Sequence, residues 1–282
     1  MSTIRFNVRA LYDPGTATPL EDRAILQHPF YGVLDGVSGL YHADNGPRLF
    51  NGISGGQAVI QIISEAFAAA KISDSLEYVM ARANKKLKVF TLKEGIANRP
   101  DLMPGAQVAF TKIFDKNIEI LQLGDAFATW VTRDNKIHTT CNQNYLYEYK
   151  QINILEGLLK KHKGDRKKAW GEYLPYTSTM RRTHANKKNG YVVFNGQSRV
   201  EKLWQKFSLP IDKISFLLLY TDGMVTFKET KDEKKMGEIS MRAYKQGGLQ
   251  AILDRIRAIE EHNKSARHVD HAEATGVAIE FL

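Results

Sequence analysis

The sequence predicts an α+β fold built on antiparallel sheets, and three observations support it. Apolar segments of strand character follow one another across short turn signals, as at Asp115-Lys116-Asn117 and Arg133-Asp134-Asn135. Two helical segments lie together between groups of strands instead of alternating with them. The chain is 282 residues long and 43% hydrophobic, enough to bury a large core.

The elements follow in order. Residues 3–11 and 23–34 read as strands joined by "DPGTATPLED", with Asp13-Pro14-Gly15 as a turn. A break near His28-Pro29 splits the second run, "RAILQHPFYGVLD", into two strands of a meander. In "SGGQAVIQIISEAFAAAK", Val59, Ile60, Ile62, Ile63, Ala66 and Phe67 fall at helical spacing. "SDSLEYVMARANKKLKVFTLKEG" is a second helix, capped by Ser73 or Ser75, with lysines gathered towards its C-terminal half. Strands resume at "AQVAFTKIF", "NIEILQLGDAFATWVT" and "KIHTTC". Beyond them come a short helix near 151–161, a loop-like 160–182, and strands at "GYVVFNG" and "KISFLLLYTDGMVT". An amphipathic helix, "GLQAILDRIRAIEEHNKS", and a closing strand, "ATGVAIEFL", complete the chain.

Composition narrows the function. No apolar run approaches the roughly 20 residues of a membrane helix, and "MSTIRFNVRALYDPG" lacks the pattern of a signal peptide. Cys141 is the single cysteine, so no internal disulfide forms and a cytoplasmic setting is expected. Cys141 itself reads as a small core residue, since no His/Asn arrangement supports a nucleophile. The net charge of +9 is localised: Lys150–Gln205 holds 13 Lys or Arg against 4 Asp or Glu, so the rest of the chain is neutral. Such a segment attracts phosphorylated protein, nucleic acid or acidic lipid, or is simply a solvated surface.

The chemistry is concentrated at strand ends. "FYGVLDG" ends in Asp35-Gly36, "SFLLLYTDG" in Asp222-Gly223, and "IEILQLGD" in Gly124-Asp125. Glu21 and Asp22 stand at the head of another strand. One Asp-Gly pair is a turn. Several brought to one sheet edge form a carboxylate cluster, which tolerates ionisation when cations neutralise it. Oxygen donors of this kind suit Mg²⁺ or Mn²⁺. Two such ions about 3.5–4 Å apart are a known arrangement for hydrolysis at phosphorus.

In this order, "ED…(F/Y)GVxDGxxG…GG…GD…(T/S)DG…T", the motifs resemble the PPM-type metal-dependent Ser/Thr phosphatases, the protein phosphatase 2C family, over nearly the whole chain. The resemblance implies a single domain over 1–282, a four-layer α-β-β-α sandwich of two antiparallel sheets flanked by helix pairs. A flap-like basic insertion falls at about 145–205, beside the active site, where it would attract an acidic phosphoprotein. It further implies that Asp35 bridges two Mg²⁺ or Mn²⁺ ions and that Asp222 ligates the first. The Gly36 carbonyl and Glu21 belong to the second, and Asp22 holds water bound to the metals. Asp125 serves an additional ion. A metal-bridging hydroxide would attack the phosphorus of phosphoserine or phosphothreonine in line.

Departures accompany the resemblance. Where the family carries an Asp before its closing strand, this chain has Ala272, with Glu273 and Asp270 as the candidate replacements. The family's phosphate-binding Arg is Ala17 here, leaving Arg9 and Arg23 as candidate cations, and its Gly-x-Thr reads Gly105-Ala106-Gln107. These gaps keep open a pseudophosphatase, a binding module with an incomplete metal site. A two-metal nuclease also fits strand-end carboxylates beside a basic surface, but the motif order argues against it. Trp170, Trp204 and the nearby tyrosines read as local core, since no RNA-binding signature accompanies them. His268, Asp270 and His271 could be read as a transition-metal site, but a His pair in a polar loop reads as solvated and hard ions rarely need imidazole, and "GISGG" lacks the Lys-Ser/Thr of a phosphate loop.

Overall fold

The computed structural model describes residues 5–40, 48–188, 190–226, 230, 232–262 and 271–282. Among the described residues, ten strands form two antiparallel five-stranded sheets. The first sheet holds β1 (Phe6–Asp13), β10 (Ala274–Phe281), β9 (Ile214–Tyr220), β6 (Phe127–Thr132) and β7 (Ile137–Thr139), in that order. The second holds β2 (Asp22–Gln27), β3 (Phe30–Val37), β4 (Gly105–Phe114), β5 (Asn117–Leu123) and β8 (Gln205–Pro210).

Side-chain alternation along the strands builds the layers. Val33, Ile118 and Ile120 of the second sheet meet Ala128, Leu217, Leu219, Val277 and Ile279 of the first in an inner core. The opposite face of the second sheet presents Leu34, Val108, Phe110, Leu121 and Leu123. Against it pack α1 (Gly55–Ala68), through Val59, Ile63 and Phe67, and α2 (Leu76–Lys93), through Val79, Met80 and Leu87. Ser54 and Ser75 cap these two helices. On the outer face of the first sheet, Phe127, Phe216, Leu218 and Tyr220 meet α5 (Glu233–His262), which is broken at Gly247-Gly248. The result is the α-β-β-α sandwich that the sequence implies, with a broken helix in place of one helix pair.

Several local expectations change. "NIEILQLGDAFATWVT" divides between the sheets, β5 in the second and β6 in the first, and the chain crosses at Gly124-Asp125. The loop expected at 160–182 is instead mostly helix, α4 (Arg166–His184), packed beside α3 (Tyr145–Lys161). "GYVVFNG" is no ladder strand: only Phe194 pairs, with Ala106. Side chains take two of its other backbone donors: Val192 N donates to Asn144 Oδ1 at 2.7 Å and Val193 N to Asn186 Oδ1 at 2.8 Å. Cys141 is exposed, not core, while Trp204 is buried in the cluster beneath α1 and α2.

Candidate metal centre and active site

Strand pairing gathers the acidic side chains. Asp22 and Asp35 are direct partners across β2 and β3, and Asp35 faces Gln107 across β3 and β4. Asp222 follows the end of β9 in the opposite sheet. Thr221, just before it, ties the two sheets: its Oγ1 donates to Asp22 Oδ2 at 2.7 Å and accepts from Thr275 N at 2.9 Å.

The glycine behind each aspartate is a packing requirement. A Cβ on Gly36 would stand 2.7 Å from Glu21 O, and one on Gly223 would stand 1.9 Å from Glu273 O. Each Asp-Gly corner therefore lies directly on the backbone of another acidic segment, closer than any side chain permits.

A cavity of about 280 Å³ opens at this edge. Asp35, Asp125 and Asp222 line it, as does Glu148 from the first turn of α3. Its other wall belongs to the basic insertion: Tyr147 and Gln151 from α3, Trp170, Tyr173, Thr177 and Arg181 from α4, and Tyr191. Several contacts dock this insertion on the sandwich. Asn144 Nδ2 donates to Asp125 Oδ2 at 3.1 Å, Ser178 Oγ to Asp101 Oδ2 at 2.8 Å, and Arg181 Nη1 to Ser38 O at 3.3 Å.

The electrostatics are those of a crowded acidic site. Burial pushes the Asp35 carboxyl well above its ordinary range, and Asp222, Asp22, Asp125 and Glu21 push it further. Asp22 is raised by burial and by Glu273, against the lowering effect of Thr221. Glu148 is raised by burial, then by Asp125 and Asp222. Asp125 Oδ1 is buried with no donor reaching it.

The remaining acidic residues occupy a second position. Glu21 N donates to Glu273 Oε2 at 2.6 Å, and Tyr12 OH donates to Glu273 Oε1 at 2.7 Å. Glu21 Oε1 accepts from Ser38 Oγ at 2.6 Å, from Gly56 N at 3.1 Å and from Ser54 Oγ, so this carboxylate rests on the N-terminus of α1. Gly36 N donates to Glu21 O at 2.6 Å, which fixes the Gly36 peptide beside it. Ala272 is held in register from α5: Arg257 Nη2 donates to its carbonyl at 2.7 Å, and its N–H donates to Glu260 Oε1 at 3.1 Å. Asp270 and His268 lie outside the described residues. Arg9 and Arg23 are exposed, and neither lines the cavity.

Among the described residues, no three acidic, histidine or cysteine side chains are already drawn close enough to enclose an ion. The donor set nevertheless fits hard divalent cations. It is all oxygen, its carboxylates repel one another, and Asp125 presents an orphaned buried oxygen. Glu148, Arg181 and Asn144 had no part in the motif pattern, and Thr221 entered it only as the residue before Asp222-Gly223. For two of them the signal was helical spacing, since Tyr147-Glu148-Gln151 and Trp170-Tyr173-Thr177-Arg181 each form one helical face.

No sequence family matches the chain, and no curated protein does. Solved structures do match over its length. The manganese-bound catalytic domain of the serine/threonine phosphatase PstP is 14% identical with a TM-score of 0.59, covering 99% of this chain and 100% of that one. PstP is a Mycobacterium tuberculosis protein. The phosphatase Stp1 of Staphylococcus aureus is 15% identical with a TM-score of 0.58, covering 98% and 95%. A serine-threonine phosphatase 2C from Toxoplasma gondii is 14% identical with a TM-score of 0.56, covering 98% and 95%. The chain therefore has the fold of the PPM-type, or protein phosphatase 2C, enzymes.

Proposed function

We propose that residues 1–282 act as one divalent-metal-dependent phosphatase domain that hydrolyses phosphoserine and phosphothreonine in proteins. The observation supporting this most is the convergence of Asp35, Asp125 and Asp222, from three separate strand ends, on one cavity. That the PstP structure holds two manganese ions in the same fold agrees with it.

Asp35 and Asp222 would hold Mg²⁺ or Mn²⁺, with Asp125 and Glu148 available to a further ion. The Gly36 carbonyl and Glu21 side would serve the second ion, and Glu273 or Asp270 would supply the acid absent at Ala272. When bound, such ions supply Lewis acidity, polarising a phosphoryl oxygen and making water a nucleophile near neutral pH. The chain's own residues set the geometry. Thr221 fixes Asp22 beside Asp35, and Asp22 orients water at that edge. The wall of Tyr147, Trp170, Tyr173 and Tyr191 covers one side of the cavity with aromatic rings, which would reduce solvent there and strengthen electrostatic contacts with a phosphate. A phosphorylated, acidic protein in the cytoplasm suits the positively charged insertion and the single cysteine. Among the described residues, no helix is long and apolar enough to cross a membrane.

One observation favours a second reading, the pseudophosphatase. Ala272 is clamped in register, and both oxygens of Glu273 are already engaged. An assay with Mn²⁺ separates these readings and the nuclease. Wild type and Asp35→Asn would be given an aryl phosphate, a phosphopeptide and single-stranded nucleic acid. Phosphate release from the first two, lost in Asp35→Asn, is the expected result. No release at all would favour the binding module, and cleavage of nucleic acid alone would overturn the phosphatase reading.

A further inference from the structure

Among the described residues, Arg181 is the one cation lining the carboxylate cavity. It projects from α4, and its guanidinium lies over the Tyr191 ring, 4.7 Å from the centroid. Its Nη1 donates to a backbone carbonyl, Ser38 O, at 3.3 Å, the Tyr147 hydroxyl lies within hydrogen-bond reach of the guanidinium, and among the described residues no acceptor reaches its buried Nε. Among the described residues no carboxylate forms an ion pair with it, although acidic groups line the same cavity. Tyrosines surround it instead: Tyr191, Tyr147 and Tyr173.

A buried guanidinium normally meets a carboxylate, because five rigid N–H donors and a full charge are expensive to leave unpaired. Here the enclosing side chains are neutral, and the donor that lacks a partner belongs to a group on the cavity wall. An anion from outside the chain would supply the missing acceptor. A phosphoryl group suits it, since guanidinium and phosphate match in charge and in bidentate geometry. Such a group placed at Asp35 and Asp222 would be neutralised from the flap side by Arg181 and from the sandwich side by bound cations.

We infer that Arg181 is the phosphoryl-binding residue of this cavity, which makes helix α4 of the basic insertion part of the substrate site. The inference rests on the phosphatase reading for its ligand but not for its test. Arg181 carries the direct contact, while Tyr191 and Ser38 hold it in place. The exposed lysines of the insertion do not enter the cavity, so they act at longer range.

The test uses the full chain with Mn²⁺ and inorganic phosphate as the probe, in wild type, Arg181→Lys and Arg181→Gln. Phosphate affinity is read from its thermal stabilisation of the protein, and KM and kcat from an aryl phosphate. Arg181→Gln is expected to weaken phosphate binding and raise KM by about 10-fold or more, the usual worth of a charge-assisted hydrogen bond. Arg181→Lys should restore part of that loss, and kcat should change less than KM. A residue that merely braces the flap gives another pattern: a lower melting temperature without phosphate, with phosphate affinity unchanged. That pattern, or full phosphate affinity in a folded Arg181→Gln, overturns the inference. Should one variant fail to fold, the other decides by the same comparison. Wild type that binds phosphate through Arg181 but hydrolyses nothing would remove the phosphatase reading and leave the anion site standing. Wild type that neither binds phosphate nor hydrolyses the ester removes both.

Discussion

Thr221 Oγ1 donates to Asp22 Oδ2 at 2.7 Å, and this bond joins the end of β9 in one sheet to the start of β2 in the other. It does two things at once. It closes the sandwich at the edge where the carboxylates gather, and it fixes the rotamer of an aspartate directly opposite Asp35. Thr221→Val keeps the shape but leaves Asp22 and Thr275 N without their partner. The expected loss of unfolding free energy is about 1–3 kcal/mol, measured by urea titration. Phosphatase activity should fall more steeply than stability, because Asp22 would turn away from Asp35. Wild-type stability together with wild-type activity would show that the bond positions nothing.

Asp35 carries a pKa raised by burial and by four neighbouring acids. The folded state holds the Asp35 proton more tightly than the unfolded state, so the penalty is absent below the unfolded pKa of about 4. It grows as pH rises through the folded value. In EDTA, Asp35→Asn should therefore melt higher than wild type, by a margin that widens between about pH 5 and about pH 8. Saturating Mn²⁺ should stabilise wild type and reverse the order. Equal melting curves in EDTA at both pH values would mean that Asp35 is not strained by its neighbours.

The sandwich was legible because strand ends, turn pairs and two capped helices repeat patterns whose physics is local. Leu217, Leu218, Leu219 and Tyr220 showed a buried strand, and the structure divides them between the two faces of one sheet. The Asp-Gly corners were legible for the same reason, although what makes their glycines necessary, backbone contact with Glu21 and Glu273, is long-range. The insertion was not legible. Gly171, Pro175 and a dense lysine run weaken local helix propensity in 160–182, yet Tyr173 and Thr177 bury one face and hold α4 in place. Once that segment is taken as a loop, the Trp170-to-Arg181 stripe disappears, and Arg181 with it. Val192 and Val193 misled in the opposite sense: their β-branched side chains suggest a strand, but Asn144 and Asn186 take the backbone bonds.

Gly223→Ala tests the close approach at the second Asp-Gly corner. The new methyl would meet Glu273 O at 1.9 Å, so the corner must move by more than a side-chain adjustment. A loss of roughly 2 kcal/mol or more in unfolding free energy is expected. Gly248→Ala is the control, since a Cβ there meets nothing within 4 Å and only backbone strain is added. The control should retain metal-dependent activity, whereas Gly223→Ala should lose it through displacement of Asp222. Activity in Gly223→Ala would show that the corner tolerates movement.

Ala272→Asp tests whether the site lacks a ligand or has replaced one. Ala272 is buried beside the acidic edge, and Arg257 and Glu260 hold its backbone from α5, so sliding the segment one residue to present Glu273 instead would require that clamp to open. Arg257 itself pairs with Asp13 and Glu260, which anchors the clamp to β1. Glu273 already accepts from Tyr12 and from Glu21 N. An aspartate restored at 272 would add a carboxylate in a fixed register without disturbing those bonds. Tighter Mn²⁺ binding by calorimetry is expected, by about 10-fold for one added charged ligand, together with lower stability in EDTA because another buried carboxylate is then unpaired. Asp35→Asn and Asp222→Asn, by contrast, should each cost more activity than changing Glu273 or Asp270 singly. If Ala272→Asp leaves metal affinity unchanged while Glu273→Gln abolishes it, Glu273 has taken over the ligand position, and the Tyr12 and Glu21 contacts must open when the ion binds.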